Sequence, residues 1–193
     1  MKKVIVFIGI MLMVVGFSTL QAQQVKKYQI QSGILTLETT LTMGKMDMKT
    51  KAVVYLDDFG MKECRDTYDL DGAVKESFFS DGKDLYLVMY EKKEVYKRGT
   101  AFRGTEYKFD WNEIAPSGKA KKLPNMTVLG KNCEAFEMND KGNISTFAGW
   151  NNVCLYMASK QPSMTVVSKA VKFEENVKVP AEKFKIPAGF VLK

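Results

Sequence analysis

The 193-residue sequence contains no histidine. That absence removes Ser/His and Cys/His nucleophile pairs and any His-based metal centre. Gly-x-Ser-x-Gly elbows, phosphate loops and dinucleotide fingerprints are missing as well. The adjacent carboxylates Asp57 and Asp58 do not replace them, because neighbours on a strand point to opposite faces and Asp ahead of Phe59-Gly60 is turn chemistry. No catalytic constellation remains, and the chain is read as a binding protein rather than an enzyme. Proline is scarce, five residues in all, and neither a Pro/Ser linker nor an internal repeat divides the chain. One domain of about 170 residues with a single sizeable core is expected.

Cysteine is also sparse, and the count is odd: Cys64, Cys133 and Cys154. In an oxidising compartment at least one of them lacks an intrachain partner. If 139–142 and 150–151 turn two successive hairpins, Cys133 and Cys154 lie on the outer strands of a meander, about 9–10 Å apart. That exceeds the reach of a disulfide, so buried free thiols are expected.

Long apolar runs are confined to the N-terminus. Lys2 and Lys3 precede an uncharged stretch over 4–17, and small residues follow to Ala22, the pattern of a cleavable secretory signal over 1–22. The stretch is shorter than the roughly 18–20 residues of a membrane-spanning helix. No cysteine stands near the cleavage point, so a lipid-modified N-terminus is not expected. These features place the expected product, 23–193, in the periplasm or otherwise outside the cytoplasm, without a transmembrane anchor.

Loss of the leader takes the basic residues from 29 to 27 against 22 acidic ones, a net charge of +5. The bases alternate with acids, as in Lys62-Glu63 and Glu91-Lys92-Lys93-Glu94, which is a solvated surface rather than a nucleic-acid track. The densest group, Lys119, Lys121 and Lys122 beside Ser117-Gly118, reads as an exposed loop.

What is abundant is β alternation. Turn signals recur at Gly44-Lys45, Asp58-Phe59-Gly60, Asp71-Gly72, Asp81-Gly82, 139–142 and Pro187-Ala188-Gly189. Between the first of them, Leu35, Leu37, Leu41 and Met43 alternate with Thr36, Glu38, Thr40 and Thr42, and Met46, Met48, Ala52, Val54 and Leu56 share one parity. A hairpin follows from this, with further strands expected over 61–70, 74–79, 85–90, 94–97, 131–138, 143–147, 153–158 and 164–173. The best helix candidate is 105–115, where Tyr107, Trp111 and Ile114 share a face and Pro116 stops the run. The cluster Met43, Met46 and Met48 supplies soft thioethers that can hold Cu(I) in an exported protein, although flexible thioethers also line apolar pockets without metal.

The order of the pieces resembles the exported half-barrel proteins of the LolA/LolB-like, outer-membrane lipoprotein carrier type, closest to the small uncharacterised members of that group. The pieces are a signal without a lipobox, "VVYLDDFGMKE", "FFSDGKDLYLV", "FDWNEI", "LGKNCEAFEM", "ISTFAGWNNVCLYM" and a closing "FKIPAGFVLK". The resemblance implies a mainly β fold, a strongly curved antiparallel sheet around one or a few short helices, with an apolar cavity that accepts acyl chains. A lipid, lipoprotein acyl chain or other hydrophobic ligand is then the expected occupant, and no cofactor is implied. Leu35, Leu37, Met46, Met48, Val54, Leu87, Met89 and Trp111 are the expected lining. An interaction module for another cell-envelope protein is the second expectation, and Met-based Cu(I) binding the third.

Overall fold

Twelve strands carry the chain through one sheet. They are β1 (Gly33–Met43), β2 (Met46–Asp57), β3 (Lys62–Tyr68), β4 (Val74–Ser80), β5 (Asp84–Met89), β6 (Glu94–Thr100), β7 (Ala120–Val128), β8 (Lys131–Asp140), β9 (Asn143–Trp150), β10 (Val153–Lys160), β11 (Thr165–Glu175) and β12 (Val191–Leu192). The computed structural model describes residues 26–100 and 120–193. The leader expected over 1–22, the helix expected over 105–115 and Trp111 lie outside them. The sheet order is β12-β6-β5-β4-β3-β2-β1-β11-β10-β9-β8-β7. Every pairing is antiparallel except that of β12 on β6, and the sheet is open and curved. Helical turns among the described residues are the short 3-10 segments Asp58–Gly60 and Ala181–Phe184.

Two strands depart from the expectation. Lys121 and Lys122, read as loop, lie on β7, the edge strand paired with β8. Its two lysines, Pro124 and a bulge between Leu123 and Met126 are the features that keep an exposed edge from recruiting another strand, and they also disguise it as a loop. The two-residue β12 gave no periodic signal at all.

The turn after β2 shows why its residues are needed. Asp58 and Phe59 take left-handed φ values of 51° and 55°, and Gly60 follows at +85°, where a Cβ would sit 2.4 Å from the ring of Tyr28. Only glycine combines that φ with that approach. The payoff is local: Tyr28 donates its backbone N–H to Phe59 O at 3.0 Å and its hydroxyl to Glu63. Lys27 pairs with the same carboxylate.

Register reveals that the core changes faces. Leu35 pairs with Val54 and Leu37 with Ala52, and these side chains, with Leu56, join Cys133, Ala135, Ala148, Leu155 and Ala170 in the larger buried cluster under Tyr28 and Ile30. Val54 in turn pairs with Arg65, so Cys64 points to the opposite face. There it joins Phe79, Val88 and Val95 in a second cluster, covered by Val179 and Phe184 of the C-terminal segment. Strand β2 sits at the crossover and has consecutive buried residues, Ala52 to Val54. Each fully buried aliphatic side chain contributes about 1.5–3 kcal/mol, so both clusters are needed to hold the sheet.

A strap runs from residue 176 to the end of the chain. Its start is tied to the segment before β1 by Asn176 N–H to Ser32 O at 2.8 Å and Ser32 Oγ to Val177 O at 2.7 Å. Its middle is pinned by Lys183 Nζ on Asp66 at 2.5 Å, and its end is sealed by Phe190 edge-on to Tyr90, with centroids 5.4 Å apart.

Candidate ligand cleft

One row of paired residues crosses six strands on a single face of the sheet. It runs Leu35, Val54, Arg65, Phe78, Leu87, Tyr96. Exposure changes along it: Leu35 is 0% and Val54 1% exposed, Arg65 and Leu87 are half-buried, and Phe78 is 38% exposed. The first part of the row is core. The second part is uncovered because the apolar payload of β3–β6 packs on the other face.

The expected lining residues among those described share the face of this row. Leu35, Leu37 and Val54 are buried in the larger cluster, and Leu87 and Met89 are half-buried on β5. Met46 and Met48 pair with Met43 and Leu41. They sit on the projecting tip of the first hairpin and are 61% and 43% exposed, because β3, the other neighbour of β2, pairs with it only from Lys51 onward.

Next to the sealed part of the row lies a cleft of about 400 Å³. Leu37, Thr39, Arg65, Cys154, Leu155, Tyr156, Met157, Val166 and Ser168 line it. Four of these are consecutive, which a regular strand with alternating side chains would not allow. The cause is a bulge in β10 opposite β9, between Cys154 and Tyr156, which re-aims the side chains there. Thr39 Oγ1 donates to Ser168 Oγ at 3.0 Å across β1 and β11, and the Cys154 thiol donates to Tyr156 O at 3.3 Å, so these polar groups are satisfied within the wall. Among the described residues, Leu37 is the one expected lining residue that reaches this cleft. Arg65, Leu155, Met157, Val166 and Ser168 were not anticipated. Arg65 could have been: once the turn at 58–60 sets the β2–β3 register, it falls opposite Val54.

The three cysteines are buried and free. Cys133 and Cys154 flank β9, whose Gly149 pairs with both Glu134 and Cys154, so an intervening strand keeps the thiols apart as expected. Burial pushes the Cys154 thiol up to about 12 and raises Cys133. Burial also raises Cys64, together with the charge and hydrogen bond of Asp66. Protonated thiols of this kind are poor nucleophiles and poor metal ligands. Among the described residues no group of three or more Cys, Asp or Glu side chains is arranged to hold a metal.

Beneath the strap lies a smaller hollow of about 200 Å³, walled by Cys64, Asp66, Ser77, Phe79, Val88, Tyr90 and Lys183 among others. Asp66 accepts from Ser77 Oγ at 2.5 Å, Cys64 Sγ at 3.3 Å and Lys183 Nζ. Burial works against the charge of Lys183, yet the hydrogen bond and charge of Asp66 more than offset it and raise its pKa. Lys183 also stands 4.5 Å from the ring of Tyr55. Every group here is engaged, so the arrangement anchors the strap.

No protein-family model matches the sequence, and no curated protein matches it. Solved structures do resemble it in fold. An uncharacterized conserved protein from Thermus thermophilus superposes with a TM-score of 0.60 at 8% identity, covering 88% of this chain and 93% of that one. The Pseudomonas aeruginosa MucA/MucB complex contains a chain matched at a TM-score of 0.51 and 11% identity over 84% of this chain and 58% of that one. A LolA superfamily protein from Nitrosomonas europaea is matched at 0.42 and 10% identity, over 83% and 92%. The fold thus recurs among solved structures. At these identities the likeness is one of fold. Among the described residues no helix is long and apolar enough to cross a membrane.

Proposed function

We propose that the protein is an exported binding protein for a hydrophobic ligand, a lipid or a lipoprotein acyl chain, held in the cleft between β1, β3, β10 and β11 and continuing onto the uncovered face of β3–β6. The observation that carries this reading is the cleft itself. It is mostly apolar, about 400 Å³ in volume and within the roughly 300–1,000 Å³ usual for small-molecule sites, and it adjoins the half-exposed Phe78 and Leu87. The leader-like residues 1–22 support export, and the absence of histidine supports binding over catalysis. The mature chain, 23–193, is taken as one domain. Native mass spectrometry of protein purified from a periplasmic extract, followed by denaturing lipid analysis, tests the reading. A near-stoichiometric acyl-bearing species is expected. A bare protein that also fails to take up a fluorescent fatty-acid probe overturns it.

A second reading has its own support. Met43, Met46 and Met48 are exposed on one face of the hairpin tip, an apolar patch suited to an envelope protein partner, and one fold neighbour was solved as the MucA/MucB complex. The same three thioethers are also the donors that Cu(I) would require. Mass spectrometry after anaerobic Cu(I) loading retires that alternative if no metal is retained.

A further inference from the structure

We infer that the tip of the β1–β2 hairpin docks the protein on a lipid surface carrying anionic headgroups, with Met43, Met46 and Met48 entering the acyl boundary. Every residue of 43–51 is exposed. Since β3 pairs with β2 only from Lys51 onward, the tip stands about 16 Å beyond the last such pair at the usual rise of a strand. Register sorts its side chains. Met43 pairs with Met46 and Leu41 with Met48, so the thioethers share one face. Thr42 pairs with Asp47, Thr40 with Lys49 and Glu38 with Lys51, so the charged side chains share the other, and Lys45 stands in the turn. An apolar face backed by lysines is the division with which a segment lies in a membrane interface, its ammonium groups reaching the headgroups.

Charge selects the surface. Within 43–51 the three lysines stand against one carboxylate, Asp47, which already accepts from Thr42 Oγ1 at 2.7 Å. The neighbouring hairpins continue the pattern at the same end of the sheet. Thr42 pairs with Thr165, Thr165 with Lys160 and Lys160 with Ile144, which brings exposed Lys160, Lys141 and Ile144 to that end. The acidic turn 69–73 sits farther back, where Asp69 borders Lys49 and Thr50. A protein partner would use the methionines but not the lysines, since lysine is depleted at protein interfaces and their anchors are Trp, Tyr and Arg, none of which occurs in 43–51. Continuity gives a further argument, one that rests on the cleft being the ligand site. The face of the methionines runs back along β1 through Leu41 to Thr39 and Leu37 in the cleft wall, and along β11 through Val166 to Ser168. A lipid drawn from the surface meets one side of the sheet all the way in.

The test is co-sedimentation of the protein with vesicles of equal parts phosphatidylglycerol and phosphatidylcholine, and with vesicles of phosphatidylcholine alone, at low and at high salt. Binding is expected to be about tenfold or more tighter on the anionic vesicles at low salt, since each lysine near such a surface contributes about fivefold. The gap should close as salt rises. Lys45→Gln with Lys49→Gln should remove most of the gap, and Met46→Gln with Met48→Gln should weaken binding to the anionic vesicles about tenfold. A polarity-sensitive dye on Met46→Cys should brighten on anionic vesicles, because the native thiols are buried and leave the introduced one to be labelled. The same dye on Leu129→Cys, in the exposed β7–β8 turn at the opposite end of the sheet, should not. Absence of binding to either vesicle by the wild-type protein overturns the proposal and needs no variant to fold. Binding unchanged in both folded double variants, or a dye response at Leu129→Cys alone, overturns it as well. A protein that ignores vesicles yet loses an envelope-protein contact in the tip variants would assign the tip to a protein partner instead. Uptake of a fluorescent fatty acid from solution reports on the cleft separately: failed uptake with docking intact overturns the cleft and leaves the tip, and intact uptake without docking does the reverse.

Discussion

The two halves of the sheet put their cores on opposite faces, and the difference explains where a ligand has room. In β1, β2 and β8–β11, the face bearing Leu35, Val54 and Leu155 is packed shut beneath Tyr28 and Ile30. In β3–β6 the corresponding face carries Arg65, Phe78 and Leu87 and stays partly open, while Cys64, Phe79, Val88 and Val95 pack behind it under the C-terminal strap. A sheet with one continuous core would have used both stretches for stability. Shifting the core at β2 frees half of one face without leaving β3–β6 unsupported, since the strap supplies the missing cover. The cleft lies beside that shift, at the border between sealed and open surface.

The largest effect is expected at the strap. Lys183→Met leaves the Asp66 carboxylate buried without its cation, and the expected loss in urea unfolding is about 3–5 kcal/mol. A loss below about 1 kcal/mol, the size of an exposed pair, would mean that the pair is not what holds the second core. The row of paired residues gives a sharper contrast. Leu35→Ala should cost about 2–5 kcal/mol. Leu87→Ala, on the open side of the same row, should cost about 1 kcal/mol or less but weaken uptake of an apolar probe. Equal costs would erase the distinction between the halves.

A smaller effect is expected at high pH. The folded-state pKa of Cys154 is raised from its ordinary 9.0 to about 12, so the unfolded chain loses this proton first. The corresponding stability is fully present below about pH 9 and lost as pH rises toward 12. Urea midpoints should therefore drop over that window, and drop less in Cys154→Ala. The smallest effect belongs to the edge. Lys122 meets Glu134 at 3.3 Å with both side chains about half exposed, and Lys122→Ala should move the unfolding free energy by no more than about 0.5 kcal/mol.

Much of the first half of this architecture was legible from residue order. Alternation in 33–43 and 46–57 set the parity of β1 and β2, and the turn signals at 44–45, 58–60, 71–72 and 81–82 marked the hairpins. Parity, however, divides a strand into two sets without saying which set is covered. The change of face at β2 was hidden for that reason, since it depends on a strap more than 80 residues away in sequence from Phe79 and Val95. The Asp66–Lys183 pair, 117 residues apart, has no local signature. Strand β7 was missed because edge protection and loop chemistry use the same residues, lysine and proline. The lining on β10 was missed because a bulge changes side-chain direction without changing composition. Arg65 has no local signature, since only register sets it beside Val54.

The most direct test of a ligand face created by this shift of core is photo-crosslinking with a neutral long-chain alcohol bearing a diazirine near its tail, followed by peptide mapping. Labelled peptides are expected from β4–β5 and from 153–168, with little label on the strap over 176–190. Label concentrated on the strap, or no label at saturating probe, would contradict it.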